Sequence, residues 1–171
     1  MLELLPEFTS QPEVLLAACA FGYLAGSIPF GIIISKVLGL GDLRKVGSGN
    51  IGATNVLRTG NKLAAFLTLL FDFSKGICAV LLVRQFFGED AVQVSAFSAL
   101  MGHCFPIWLR FRGGKGVATF LGVTIALSFI IGIICCFVWL FVAGVRKMSS
   151  LASLTQLRKR SNCSYIFRPT E

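Results

Sequence analysis

Charge is the first scarcity of this chain: Asp, Glu, Lys and Arg make up 14% of its 171 residues, where a soluble domain carries about a quarter. With 55% hydrophobic residues and a mean hydropathy of +0.78, it reads as a multi-pass membrane protein. Histidine is scarcer still, with His103 alone. The six cysteines, Cys19, Cys78, Cys104, Cys135, Cys136 and Cys163, have no CxxC spacing, so a zinc site has no ligand set to draw on. They read as small buried apolar residues and not as a disulfide framework. No carboxylate cluster occurs either, and neither metal nor cofactor is expected. The N-terminus carries Glu3, Glu7 and Glu13 and no basic stretch ahead of the first apolar run, so no cleaved signal peptide is expected. Basic residues do outnumber acidic ones, 16 to 8, for a net charge of +8. They fall in short loops beside apolar segments rather than in a basic domain interleaved with aromatics, which sets nucleic acid aside.

What is abundant is long apolar sequence. Four stretches, Val14 to about Leu38, Leu63 to Val83, Ala91 to Trp108 and Val117 to Val145, are each long enough to consider for a span of ~20 residues. Arg44, Lys45, Arg58 and Lys62 lie in the first loop and Arg110, Arg112 and Lys115 in the third, whereas the second has Arg84 beside Glu89 and Asp90. The first and third loops are therefore expected on the cytoplasmic side, with the N-terminus outside. The tail, with Arg146, Lys147, Arg158, Lys159, Arg160 and Arg168, belongs inside too, which requires the last stretch to cross twice. About 29 residues give two arms of ~22 Å each, shorter than the ~30 Å hydrocarbon core. A hairpin near Ser128 to Gly132 with local thinning of the bilayer answers this. The expected fold is an all-α, polytopic helical bundle of about five transmembrane spans with two glycine-rich cytoplasmic loops.

Those loops carry the chemistry. The first runs Gly47-Ser48-Gly49-Asn50-Ile51-Gly52-Ala53-Thr54-Asn55-Val56-Leu57-Arg58 and the second Arg112-Gly113-Gly114-Lys115-Gly116. Glycines let backbone N–H groups converge on an oxyanion while Arg and Lys neutralise it, so phosphate is the first ligand to consider. A helix starting near Val117 adds free N–H groups and the positive end of its dipole. The second loop is not a Walker A loop: Leu109 stands at the first glycine's place and Gly116 follows the lysine. Asp72 and Lys75, at i and i+3 inside the second span, share a face and can pair; an ion pair that locks packing and a substrate role are both open. Gly22, Gly26 and Gly31 with Ser27 and Pro29 suggest close helix approach and a break in the first span. His103, at the cytoplasmic end of the third span, could take a proton from a substrate hydroxyl or simply bond a backbone carbonyl.

Together these residues resemble the bacterial membrane glycerol-3-phosphate acyltransferases that use acyl phosphate as donor. The matching words are Gly26-Ser27-Ile28-Pro29, Gly47 to Arg58 with Gly60, Asp72-Phe73-Ser74-Lys75-Gly76, Gly102-His103 with Pro106, and Phe111 to Thr119. The resemblance implies transfer of a fatty acyl group from acyl phosphate to the 1-hydroxyl of sn-glycerol 3-phosphate, giving lysophosphatidic acid and phosphate, the first acylation of phospholipid synthesis. It implies a bacterial inner-membrane location with the active loops inside, and a soluble partner enzyme that makes acyl phosphate. Carried over by position, Ser48 and Arg58 fall on the first motif's important serine and arginine, and the glycines around Lys115 on the motif associated with glycerol 3-phosphate. The candidate catalytic residues are Ser48, Arg58, His103 and Asn162. Gly47, Gly49, Asn50, Gly52, Thr54, Asn55, Arg112, Gly113, Gly114, Lys115 and Gly116 are candidates for phosphate binding, and Asp72, Lys75 and Glu171 for structure. An acyl phosphate is already activated, so direct attack in a ternary complex suffices, with His103 or a donor phosphate oxygen as base. Ser48 as an acylated nucleophile is less favoured, lacking an activating neighbour in sequence.

The tail departs from the family pattern. Residues 1–157 read as one transmembrane acyltransferase domain and 158–171 as a short basic cytoplasmic tail with a partly retained motif, after an apparent internal shortening. Asn162 and Glu171 stand where the family's ending would place them, but Lys159 occupies the usual histidine's position and Pro169 that of a common glycine. Two other readings remain at this stage: a small anion transporter, for which Asp72 and Lys75 would line a path, and a catalytically impaired relative.

Overall fold

The computed structural model describes residues 9–145, and side chains to residue 142. Every regular element among them is helical: α1 (Pro12–Gly26), α2 (Phe30–Val37), a 3-10 turn (Leu43–Lys45), α3 (Ala53–Leu57), α4 (Lys62–Arg84), α5 (Glu89–Cys104), a second 3-10 turn (Ile107–Leu109), α6 (Val117–Leu127) and α7 (Phe129–Val145). Lys159, Asn162 and Glu171, and with them the whole reading of the tail, lie outside the described residues. The chain divides after Cys136. From Phe137 onward α7 belongs to a second unit, whose described side chains Phe137, Val138, Leu140 and Phe141 are exposed.

In the first unit the usual distribution of residues is inverted. Large apolar side chains such as Leu16, Leu24, Phe66, Leu82 and Phe97 are exposed, while the interior holds Ala18, Ala64, Ala79, Ala91 and Ala99 with Thr68, Ser95 and Asp72. That pattern fits lipid outside and small residues at helix contacts inside. α1 packs on α5 where Gly22 faces Ser95 and Gly26 faces the Ala99 carbonyl; α4 meets α6 where Gly76 faces Thr119 and Gly122 faces the Phe73 carbonyl. A side chain at any of these glycines would overlap backbone.

The first span breaks at Ser27 to Pro29, as its composition suggests, and α1 with α2 runs over Pro12–Val37. Pro29 has no N–H to continue the ladder. The freed carbonyls find side chains instead: Trp108 Nε1 donates to the Ser27 carbonyl at 2.8 Å and Lys75 Nζ to that of Ile28 at 2.8 Å. Both partners come from distant elements, so the break is also a junction.

Among the described residues, three segments are long and apolar enough to cross a membrane: Pro12–Val37, Lys62–Arg84 and Glu89–Leu109. α6 has 11 residues, about 17 Å at 1.5 Å per residue. It ends at Ser128, whose backbone is extended. Gly132 then comes back against the Ile125 backbone, where seven residues of continuous helix would separate them by about 10 Å. The helix is therefore sharply broken at Ser128, where the hairpin is expected, and α6 is shorter than the ~22 Å expected of its first arm. The cysteines depart from expectation. Cys19, Cys104, Cys135 and Cys136 are only half-buried and Cys78 is exposed, and all are free, because on a lipid-facing helix a small thiol need not be sequestered.

Candidate active site

The first loop is organised by Asn55, which is 2% exposed. Its Nδ2 donates to the Leu43 carbonyl at 2.9 Å, while its Oδ1 accepts from Ser48 N at 3.2 Å, Ser48 Oγ at 3.4 Å and Arg58 Nη1 at 3.3 Å. One amide thus holds the serine and the arginine. Gly47 makes this possible: its φ is +49°, and a Cβ there would meet Arg58 Cδ and Nη1 and Asn55 Oδ1. Asn50 accepts from Gly52 N at 3.0 Å through Oδ1, shaping the turn into α3. Arg58 Nε is buried with no hydrogen-bond partner. A buried guanidinium N–H is a strong donor, chemically suited to an anionic acceptor. Ser48 and Thr54 are exposed beside it, and Gly49 and Asn50 half-buried.

The second loop folds back on the end of α5. Arg110 and Phe111 both have positive φ, 54° and 59°, an uncommon conformation for side chains of their size. The reversal lets Gly113 N donate to the Cys104 carbonyl and Gly114 N to that of His103, each at 3.0 Å. A Cβ on Gly114 would collide with His103 Nε2, and one on Gly113 with the His103 and Cys104 carbonyls. These glycines serve close packing, and their N–H groups are already engaged. Arg112 and Lys115 are exposed, while Gly116 is buried with φ +78° and opens α6.

The loops meet: Arg44 Nη2 donates to the Arg112 carbonyl at 2.5 Å. In the sequence Arg44 counted only toward loop charge, and nothing in its surroundings marks it as a bridge.

Beside the second loop lies a buried polar cluster. Lys75 Nζ is 2.9 Å from Asp72 Oδ1, an ion pair at i and i+3. Asp72 Oδ1 is also 3.7 Å from His103 Nδ1. Neither His103 Nδ1 nor Asp72 Oδ1 makes an aligned hydrogen bond, and Asp72, Lys75 and His103 are 3%, 5% and 5% exposed. The Asp72 carbonyl accepts from Thr119 Oγ1 at 3.0 Å. The pairing of Asp72 with Lys75 follows from spacing. That of Asp72 with His103 joins two helices, which no local spacing reveals. Among the described residues no group of His, Cys, Asp and Glu could hold a metal ion.

A groove of about 470 Å³ runs between α1 and α5, lined by Cys19, Tyr23, Phe97, Ser98 and Met101 among others. Its lining is apolar and includes neither loop, so it is set apart from the polar chemistry.

The family described as glycerol-3-phosphate acyltransferase matches residues 16–166. A glycerol-3-phosphate acyltransferase of Cereibacter sphaeroides (strain ATCC 17029 / ATH 2.4.9) is 58% identical over 150 residues, 88% of this chain and 75% of that protein. One of Jannaschia sp. (strain CCS1) is 56% identical over 151 residues, 88% and 74% of the two. Among solved structures, the glycerol 3-phosphate form of PlsY (YgiH), an integral membrane glycerol 3-phosphate acyltransferase, aligns with a TM-score of 0.73 at 42% identity, covering 82% of this chain and 71% of that one. The lysophosphatidic acid form aligns with a TM-score of 0.68 at 40% identity, over 75% and 64%.

Proposed function

The chain belongs to the glycerol-3-phosphate acyltransferase family, and from that premise we propose that it moves an acyl group from acyl phosphate to the 1-hydroxyl of sn-glycerol 3-phosphate, releasing phosphate. The observation that carries the reading is the Asn55 hub, which presents Ser48 together with an Arg58 whose buried Nε lacks an acceptor. Arg58 is bidentate in character and suits a phosphate. Because the Gly113 and Gly114 amides are engaged, the second loop offers Lys115, Arg112 and the first amides of α6 to the other phosphate.

In this reading the two loops hold the two substrates against each other, and the acceptor hydroxyl attacks the acyl carbonyl directly while its proton passes to an oxygen of the donor phosphate. The bond from the acyl carbon to the phosphate oxygen breaks, and the positive groups stabilise the oxyanion and the departing phosphate. Ser48 contributes a hydrogen bond and forms no acyl-enzyme. The acyl tail stays in lipid. Both loops face the cytoplasm of a bacterial inner membrane, the chain crosses about five times, and a soluble enzyme supplies the acyl phosphate.

The test is formation of 1-acylglycerol 3-phosphate from palmitoyl phosphate and glycerol 3-phosphate by purified protein in detergent micelles, beside Arg58→Ala, Lys115→Ala and palmitoyl-CoA as donor. Product from acyl phosphate alone, lost in both variants, supports the proposal. A well-folded protein that makes no product overturns it, and passage of unchanged phosphate compounds across liposomes would put transport in its place.

A further inference from the structure

Asp72 lies ten residues after Lys62 in α4, about 15 Å along the helix, well inside the apolar zone. Burying a carboxylate, an ammonium and an imidazole there is expensive, and apolar residues of similar volume would pack the same helices at less cost. The cluster is also more than a lock between neighbours on one helix. Lys75 reaches out of α4 to the Ile28 carbonyl in the broken first span at 2.8 Å, and Asp72 faces His103 on α5 at 3.7 Å. The opposite edge of the His103 ring lies against Gly114, whose N–H is held by the His103 carbonyl at 3.0 Å. The ring is therefore clamped between a carboxylate on one side and the second glycine loop on the other. Asp72 Oδ1 is held by Lys75 Nζ at 2.9 Å, and His103 Nδ1, buried with no hydrogen-bond partner, faces that same oxygen at 3.7 Å, so the carboxylate is the polar group set opposite the ring.

We propose that Asp72 is a positioning residue: its carboxylate, anchored by Lys75 to the break in the first span, sets the His103 ring on which the second glycine loop rests, and so sets where that loop holds glycerol 3-phosphate. This rests on the functional reading above. A ring with its proton on Nδ1 turns that N–H toward the Asp72 carboxylate, an electrostatic contact at 3.7 Å, and keeps Nε2 against Gly114, and the loop follows the ring because glycine there leaves no slack. A shift of the order of 1 Å in such a support can cost as much as ~100-fold in a site that depends on alignment.

The experiment is Asp72→Asn in the full chain, with separate KM values for glycerol 3-phosphate and palmitoyl phosphate and a direct binding titration of glycerol 3-phosphate. Expected are a loss of about tenfold in glycerol 3-phosphate affinity and an equal rise in its KM, with the donor KM unchanged. Gly114→Ala, which displaces the ring from the loop side, should show the same split, and combining it with Asp72→Asn should cost less than the product of the two. A purely structural role would lower the active fraction and leave both KM values and the binding constant alone, and that result overturns the inference while leaving the acyltransferase intact. Should Asp72→Asn fail to fold, Asp72→Glu, which keeps the charge and the Lys75 pairing but moves the carboxylate relative to His103, decides by the same readouts. A wild type that makes no product but binds glycerol 3-phosphate fails the functional reading, and the binding titration still decides this one. A wild type that does not bind glycerol 3-phosphate removes both.

Discussion

Replacing Asn55 by alanine is the sharpest perturbation of the first loop. The truncation removes the acceptor of Arg58 Nη1 and of Ser48 N and Oγ, and the donor to the Leu43 carbonyl. A neutral bond is worth about 1 kcal/mol net and one from a charged donor about 1.5–3. The contacts of Arg58 and Ser48, 3.2–3.4 Å, are long, so the low end applies: about 1.5 kcal/mol for holding Arg58 and about 1 for the Leu43 carbonyl. The Arg58 share acts on catalysis, because an arginine free to swing is aimed at phosphate only part of the time. With Ser48 released as well, kcat/KM should fall about 10–100-fold, while the Leu43 share appears as a loss of stability.

Asn55→Asp sharpens the test. It keeps the shape and places a carboxylate between Ser48 and Arg58, so the guanidinium pairs internally, and it turns an oxygen toward the Leu43 carbonyl where an N–H was. It should be worse than alanine even though it is closer in size. The assay is the initial rate of lysophosphatidic acid formation in detergent micelles, with size-exclusion profiles to establish folding. A folded Asn55→Ala within about threefold of wild type, or an Asn55→Asp better than Asn55→Ala, would refute the hub.

Three further outcomes are expected. Gly26→Ala sets a methyl group against the Ala99 carbonyl and should lower stability by about 1–3 kcal/mol, seen as a fall in Tm in detergent. Arg44→Gln removes the bond to the Arg112 carbonyl and should lower kcat/KM about threefold to tenfold, the equivalent of one hydrogen bond, with Tm unchanged. Lys75→Met leaves the Asp72 carboxylate buried without its cation and should cost about 3–5 kcal/mol of stability, much of it restored by adding Asp72→Leu; a double variant no more stable than the single would count against the pair as a source of strain.

Some of this organisation is legible from residue order alone because it is local. A proline after a serine in an apolar run breaks a helix, so the interruption at Ser27 to Pro29 is readable. Asp72 and Lys75 three residues apart must share a helix face, and the charge on either side of the last apolar stretch points to an interruption near Ser128, where α6 ends. What is not legible joins segments far apart in sequence. Asn55 reads as a phosphate ligand because it sits among glycines, and only the fold shows both ends of its amide engaged inside the protein. Gly113 and Gly114 read as donors to an oxyanion, yet their amides are taken by α5; a glycine needed for close packing and one needed for a free N–H look alike in sequence. Arg44 and the facing of Asp72 with His103 leave no periodic trace.

The depth of the polar cluster bears on why this chain keeps charge where lipid surrounds it. A membrane helix that breaks must find donors for its freed carbonyls, and here they are Lys75 and Trp108. Lysine at that depth in turn requires a counter-charge, supplied by Asp72 one turn earlier. That carboxylate then faces the one histidine, which sits at the point where α5 gives way to the second loop. Each step answers the cost of the one before. The sequence of requirements begins in the bend of the first span and ends at the glycine loop, so a change at either end should be felt at the other through Asp72 rather than through the lipid-facing surfaces between them.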